Sequence, residues 1–285
     1  DHLDRHKTMS AYREAKQKIS DNQTTEDWIV LNDSDASVKD FAASTSAEVV
    51  YFTDKGAPEN LSFSGTFKEG LELFAQQNRI REKICDIVDI PLPGAHNIQN
   101  VLASIAVGRI FGVTGAEIRA ALQCFDRSHP ALSHAFELVR TLEKVRFIND
   151  SKATNVAAVK AALESLVDAQ VLLIMGGYDK GNDYTPLREI VQTKVKGAVM
   201  LGEYTEQIEK TLANTTKIMK AETMAEAVQV AYKHASPGDV VLLSPANASF
   251  DMYPDYKARG TDFKEAVNAL HSKGISRDRD PKHQA

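Results

Sequence analysis

From residue 145 onward the chain alternates two textures, and that alternation restricts its possible folds more than any other feature. Short runs that are apolar almost throughout, VRFI at 145–148, AQVLLIMGG at 169–177, GAVMLG at 197–202 and DVVLLSPA at 239–246, lead towards stretches near 155–166, 185–194, 204–213 and 257–270 with apolar residues at helical spacing. A further helical stretch, ETMAEAVQVAYKHA, lies between the third and fourth runs. Strands this apolar have no solvent face, which suits a parallel sheet covered on both sides. Right-handed crossovers between them give a doubly wound, Rossmann-like α/β domain, whose ligands bind beyond the carboxyl ends of the strands.

The polar clusters sit at those ends. DSKATN (150–155) follows the first run, YDKGNDY (178–184) the second and NASFDMY (247–253) the last. A plain turn into a helix needs one cap, so three such loops predict one shared crevice.

The first half is less regular. Residues 3–20 read as a helix, WIVL and VVYF as strands, and 55–94 as hairpin-like segments. HNIQNVLASIAVGRI and TGAEIRAALQCF read as two helices, the second with a threonine cap. FDRSHPALSH carries a proline and little periodicity and reads as a linker. Two domains are expected, 1–130 and 131–270, with a polar, disordered tail over 271–285.

Totals exclude several classes. Thirty-four Lys and Arg against thirty-nine Asp and Glu leave a net charge of −5 without a basic block, which argues against nucleic acid. No run approaches the roughly 20 apolar residues of a membrane helix. The N-terminal stretch lacks the apolar core of a signal peptide. It also lacks an initiator Met, so a piece of a longer protein is expected. Cys85 and Cys124 form no disulfide framework and read as reduced, buried thiols of a cytoplasmic protein.

Lys152 and Thr154 stand where a strand gives way to a helix N-terminus, a position suited to anions. Thr154 or Asn155 equally serves as the helix cap. Lys180 offers a second ammonium from the next loop, or sits in a structural turn with Gly181. Ser249, Phe250 and Tyr256 belong to the third loop and the helix after it. Asn97 and Asn100, three apart beside His96, present both amides on one helix face, able to read a purine edge or to cap the helix. Two lysines, hydroxyls and small residues imply an anionic ligand without specifying a reaction.

Taken together, HNIQN, FINDSKATN, GGYDKGNDY and LLSPANASFDMY followed by ARGTDF resemble the Mur ligases. The resemblance runs from His2 to Phe263 and is nearest to the members that add D-glutamate. It implies an incomplete central ATPase-type domain before the Rossmann-like one, and an ATP-dependent amide ligase of peptidoglycan precursor synthesis in the cytoplasm. In such a ligase ATP phosphorylates the carboxylate of UDP-linked muramoyl-alanine, and the amine of D-glutamate attacks the acyl phosphate. Lys152, Thr154, Lys180, Ser249, Phe250 and Tyr256 would hold D-glutamate. Asn97, Asn100 and Asp150 would hold ATP, with His134 nearby. His2 would bind Mg2+, as would Lys16 if carbamylated, and with Lys152 these two would be the catalytic residues. A monomer acting on small molecules, with neither nucleic acid nor membrane insertion, is implied.

Ala135 stands where the family has arginine. The phosphate-loop pattern G-x-x-x-x-G-K-[ST] does not occur in these 285 residues, so catalysis by this chain alone is not expected. The other readings are a folylpolyglutamate synthase-like ligase, a non-catalytic binding module, and a sugar-nucleotide transferase, which would need a Gly-rich loop absent here.

Overall fold

The computed structural model describes residues 6–35, 38–56, 64–90, 94–124, 132–178 and 181–272. His2, Lys180, most of the expected linker and the tail from 273 lie outside them. The chain divides into two compact units, 1–133 with 161–167, and 134–160 with 168–285.

The first unit carries a five-stranded sheet in the order β1 (Trp28–Asn32), β2 (Glu48–Thr53), β3 (Gly65–Glu69), β4 (Glu72–Gln77), β5 (Ile80–Asp86). β1, β2 and β3 are parallel; β3, β4 and β5 are antiparallel. Asn78 and Arg79, both at positive φ, make the tight turn between β4 and β5 that a two-residue hairpin loop requires. The helix expected over 3–20 is α-helical only as α1 (Met9–Gln17), ending in a 3-10 turn to Ser20. A short helix, α2 (Val38–Ser44), packs on β1.

Helix α3 (Ala95–Ile110) crosses the sheet and α4 (Gly115–Cys124) packs on β5. Leu73, Ile84, Cys85, Leu102, Ile105 and Ile118 fill the space between. Thr66 Oγ1 donates to the Leu102 carbonyl at 2.8 Å, anchoring α3 to β3. The expected cap of α4 is present: Glu117 N donates to Thr114 Oγ1 while Thr114 N donates to Glu117 Oε2. Cys85 is buried, and burial pushes its thiol up to about 11. Cys124, expected inside, is exposed, because it lies at the solvent side of the last turn of α4.

The second unit holds a six-stranded sheet of β6 (Glu137–Leu142), β7 (Val145–Asn149), β8 (Val171–Gly176), β9 (Val195–Leu201), β10 (Lys217–Ala221) and β11 (Val240–Ala246). Their order is β10-β9-β8-β11-β7-β6, parallel except for β6. The helices are the first half of α5 (Val156–Ser165), whose residues from 161 group with the first unit, and α6 (Arg188–Lys194), α7 (Glu206–Leu212), α8 (Met224–His234) and α9 (Tyr256–Asn268). α8 lies over β8, β9 and β10, and α9 over β6 and β7. Phe147, Leu172, Ile174, Val199, Val241 and Leu243 face these two helices. Their strand neighbours Leu173, Met175, Ala198 and Leu242, pointing the other way, are buried as well. Both faces are therefore covered. Among the described residues no helix is long and apolar enough to cross a membrane.

Candidate functional site

In the second unit the sheet order places β11 between β7 and β8. After β8 the chain leaves towards α6, which packs on β9; after β11 it leaves the other way, towards α9 on β6 and β7. Connections that diverge from neighbouring strands leave a crevice between their carboxyl ends. The loops after β7, β8 and β11 are consequently side by side.

Backbone constraints tighten this end. Gly176 and Gly177 take φ of 127° and 116°, and a Cβ on them would stand 2.1 Å from the Leu201 oxygen and 2.3 Å from the Ala248 oxygen. Only glycine fits there. Ala246, fully buried, adopts φ 64° at a shift in the β8–β11 register, a conformation that L residues rarely take. Its N–H donates to the Ala153 carbonyl at 3.0 Å, joining the third loop to the first.

Side chains complete the stitching. Arg259 of α9 is buried. Its Nε and Nη2 donate to Ser151 Oγ and O at 2.9 and 2.8 Å, and its Nη1 to the Asn247 carbonyl at 3.1 Å. Burial pulls the guanidinium down to about 10, with Asp251 offsetting part of the effect. Asn247 Oδ1 accepts from Asn182 Nδ2 at 2.9 Å and from the Tyr184 hydroxyl at 2.8 Å, tying the loop after β8 to the loop after β11. Nothing in the spacing of the sequence marks Arg259, Asn149 or Asn247 as junctions. The available signals are their place in the motifs FINDSKATN, LLSPANASFDMY and ARGTDF and, for Asn149 and Asn247, a polar residue set among apolar or small ones at a strand end.

Around that frame stand the residues expected from sequence. The Lys152 side chain is exposed, and its charge favours the carboxylate of Asp150. Thr154 is half-buried, and Asn155 rather than Thr154 caps α5, its Oδ1 accepting from Ala158 N at 2.9 Å. Ser249 is buried beside the exposed Phe250. The Tyr256 carbonyl oxygen accepts from Ser151 Oγ at 2.8 Å, and the Tyr256 ring stands edge-to-face with His134.

Asp150 is buried, with Ser244 Oγ donating to its Oδ2 at 2.9 Å and Phe136 N to its Oδ1 at 3.1 Å. Burial raises its carboxyl to about 7; the two hydrogen bonds and Lys152 act against that rise. His134 is buried next to Asn149, and burial lowers its imidazole.

In the first unit Asn97 and Asn100 line a groove between α3 and α4 with a cavity volume of about 420 Å³. Val101, Ile105, Ile118 and Leu122 supply its apolar wall, and Ser104 and Glu117 its polar edge. The two amides do face one side, with Asn100 Nδ2 at 3.4 Å from Asn97 Oδ1. A pocket of this size and character suits a small ring system read by a few polar groups. Lys16 lies exposed on α1, its ammonium 5.5 Å from the centre of the Tyr12 ring. Among the described residues no group of three or more His, Cys, Asp or Glu side chains is arranged to hold a metal ion.

Residues 1–108 match the Mur ligase middle domain, and 136–247 match the Mur ligase glutamate ligase domain. The UDP-N-acetylmuramoylalanine–D-glutamate ligase of Clostridioides difficile is 39% identical over 278 residues, covering 95% of this chain and 58% of that protein. The one from Streptococcus uberis is 36% identical over 270 residues, covering 94% and 56%. This chain thus spans less than two thirds of the length of either relative. Among solved structures, MurF ligase of Thermotoga maritima in complex with ADP superposes with a TM-score of 0.64 at 15% identity, covering 94% of this chain and 60% of that one. FolC of E. coli in complex with DHPP and ADP gives 0.65 at 16%, covering 94% and 60%. At such identities these two share the fold.

Proposed function

This chain belongs to the Mur ligase family, and we propose that it supplies the nucleotide- and amino-acid-binding parts of an ATP-dependent ligase. The reaction joins D-glutamate to UDP-N-acetylmuramoyl-L-alanine in peptidoglycan precursor synthesis. What chiefly supports this reading is the crevice between the diverging strands β8 and β11, with the loop after β7 stitched to it through Arg259 and Ala246. A dicarboxylate needs ammonium and hydroxyl donors from several sides, and Lys152, Thr154 and Ser249 stand on two of those loops. Lys180 belongs to the third.

ATP phosphorylates the substrate carboxylate, and the D-glutamate nitrogen then attacks the carbonyl carbon. The C–O bond to phosphate breaks and the amine gives up a proton. Lys152 and Lys180 hold the two carboxylates, with Thr154 and Ser249 as hydroxyl donors and Phe250 and Tyr256 as walls. Asn97 and Asn100 read the adenine edge in the α3–α4 groove, while Asp150 and His134 serve the rest of the nucleotide. Phosphoryl transfer from ATP uses Mg2+. His2 and Lys16, if carbamylated, would hold that ion.

Calorimetry on the chain tests the amino-acid part. Titration with D-glutamate is expected to give heat that L-glutamate does not, and Lys180→Ala and Lys152→Ala each abolish it. Preference for L-glutamate favours the folylpolyglutamate synthase-like reading. No heat with either amino acid, nor with ADP, leaves only a non-catalytic module.

A further inference from the structure

We propose that Asn149 is a positioning residue that holds His134 as an uncharged imidazole with its proton on Nε2. His134 thereby becomes a fixed N–H donor for an oxyanion oxygen beyond the carboxyl end of β7. That the oxyanion is a phosphoryl oxygen of the nucleotide rests on the function proposed above; the state of the imidazole does not.

The orientation of the Asn149 amide comes first. Asn149 is fully buried at the end of β7. Its Oδ1 accepts from Ser151 N at 3.2 Å. Its Nδ2 faces two fixed acceptors, the Gly260 carbonyl at 3.2 Å and Glu137 Oε2 at 3.3 Å, and lies 3.0 Å from His134 Nδ1. Turning the amide over would set oxygen against two oxygens and N–H against N–H. The contacts to Ser151 N, the Gly260 carbonyl and Glu137 Oε2, whose roles do not depend on the ring, therefore agree on one orientation.

The ring follows from the amide. Because Nδ2 can only donate, Nδ1 of His134 must carry the lone pair, and the imidazole proton sits on Nε2. A protonated ring would turn an N–H of Nδ1 against Asn149. Nε2 has no protein partner among the described residues and is not among the buried unpaired side-chain atoms, which leaves it open to a ligand.

The backbone of His134 is also clamped. It adopts φ 66°, its N–H donates to Glu137 Oε2 at 3.0 Å, and its carbonyl accepts from Lys152 N at 3.0 Å. A Cβ at position 260 would stand 2.2 Å from Nδ1, so glycine there leaves the ring its place.

Charged neighbours act in both directions. Glu137 and Asp255 favour the charged ring, whereas Lys257 and Lys264 disfavour it, and burial, the largest influence, lowers the imidazole. Burial alone would raise Glu137. Its bond from Lys264 Nζ at 2.6 Å and the His134 N–H outweigh that and keep it a carboxylate.

Long-range 1H–15N spectra of the labelled chain between pH 6 and 8, assigned by comparison with His134→Gln, decide the matter without any ligand. The expected pattern is a neutral ring protonated at Nε2 throughout. Asn149→Asp supplies an acceptor in place of the donor. It should move the neutral-ring proton to Nδ1 and raise the midpoint by about 1–3 pH units. A wild-type ring protonated at Nδ1, or doubly protonated at pH 7, overturns the proposal. The wild-type spectrum alone suffices should Asn149→Asp not fold.

Discussion

Arg259 reaches Ser151 with two parallel donors, Nε to the hydroxyl and Nη2 to the carbonyl oxygen, across 108 residues of sequence. Its remaining Nη1 serves Asn247, so one side chain closes the loop after β7 onto the loop after β11. A guanidinium has this fork and an ammonium does not. The groups that accept hydrogen bonds from Arg259 are neutral, which makes it a brace between loops in the folded protein.

Arg259→Ala strands two buried carbonyl oxygens, of Ser151 and Asn247, and should destabilise the second unit by roughly 3 kcal/mol. Arg259→Lys should restore little of this. Urea unfolding followed in both variants checks it; a lysine variant as stable as wild type would show that the fork is dispensable.

Asp150 gives stability a definite pH slope. Its carboxyl rises from 3.8 to about 7 in the folded protein, so between those values the folded chain binds more protons than the unfolded one. Stability from this group is present at low pH and is lost as pH climbs from about 4 to about 7, at up to about 1.4 kcal/mol per pH unit. Asp150→Asn, which keeps an oxygen for Phe136 N and a polar partner for Ser244, should flatten that slope and be more stable than wild type at pH 8. Matched unfolding curves at pH 5 and pH 8 measure it.

The α3–α4 groove has an exposed edge at Ala121. Ala121→Phe should occupy the groove and weaken ADP binding at least about tenfold, or about 1.4 kcal/mol, without lowering the melting temperature. Unchanged ADP affinity would move the nucleotide out of this groove.

Asn155 and Thr154 separate capping from binding. Asn155→Ala removes the cap on Ala158 N and should cost about 1 kcal/mol of stability. Thr154→Ala should change stability by no more than about 0.5 kcal/mol while reducing the heat of D-glutamate binding. The reverse pattern would return Thr154 to a structural role.

Much of the second unit could be read from the letters. β7, β8, β9 and β11 are buried on both faces, so their apolar runs announce themselves. β6 and β10 escaped because they are edge strands with mixed burial. The β6–β7 turn, moreover, uses Glu143 and Lys144 at positive φ where a sequence reader looks for Asn or Gly. The capping box at Thr114 and Glu117 was legible because it is local, three residues apart.

By itself the sequence determined the strand and helix periods, the polar loops at strand ends and the family to which the chain belongs, since these depend on neighbours a few residues apart. Only the tertiary structure decided that β11 inserts between β7 and β8. It also decided that Arg259 and Asn247 join separate loops, and that Asp150 and His134 lose their solvent. Those outcomes depend on burial and on partners as many as a hundred residues away. A guanidinium or a carboxylate carries no mark in the sequence of the dielectric it will meet once the sheet has closed around it.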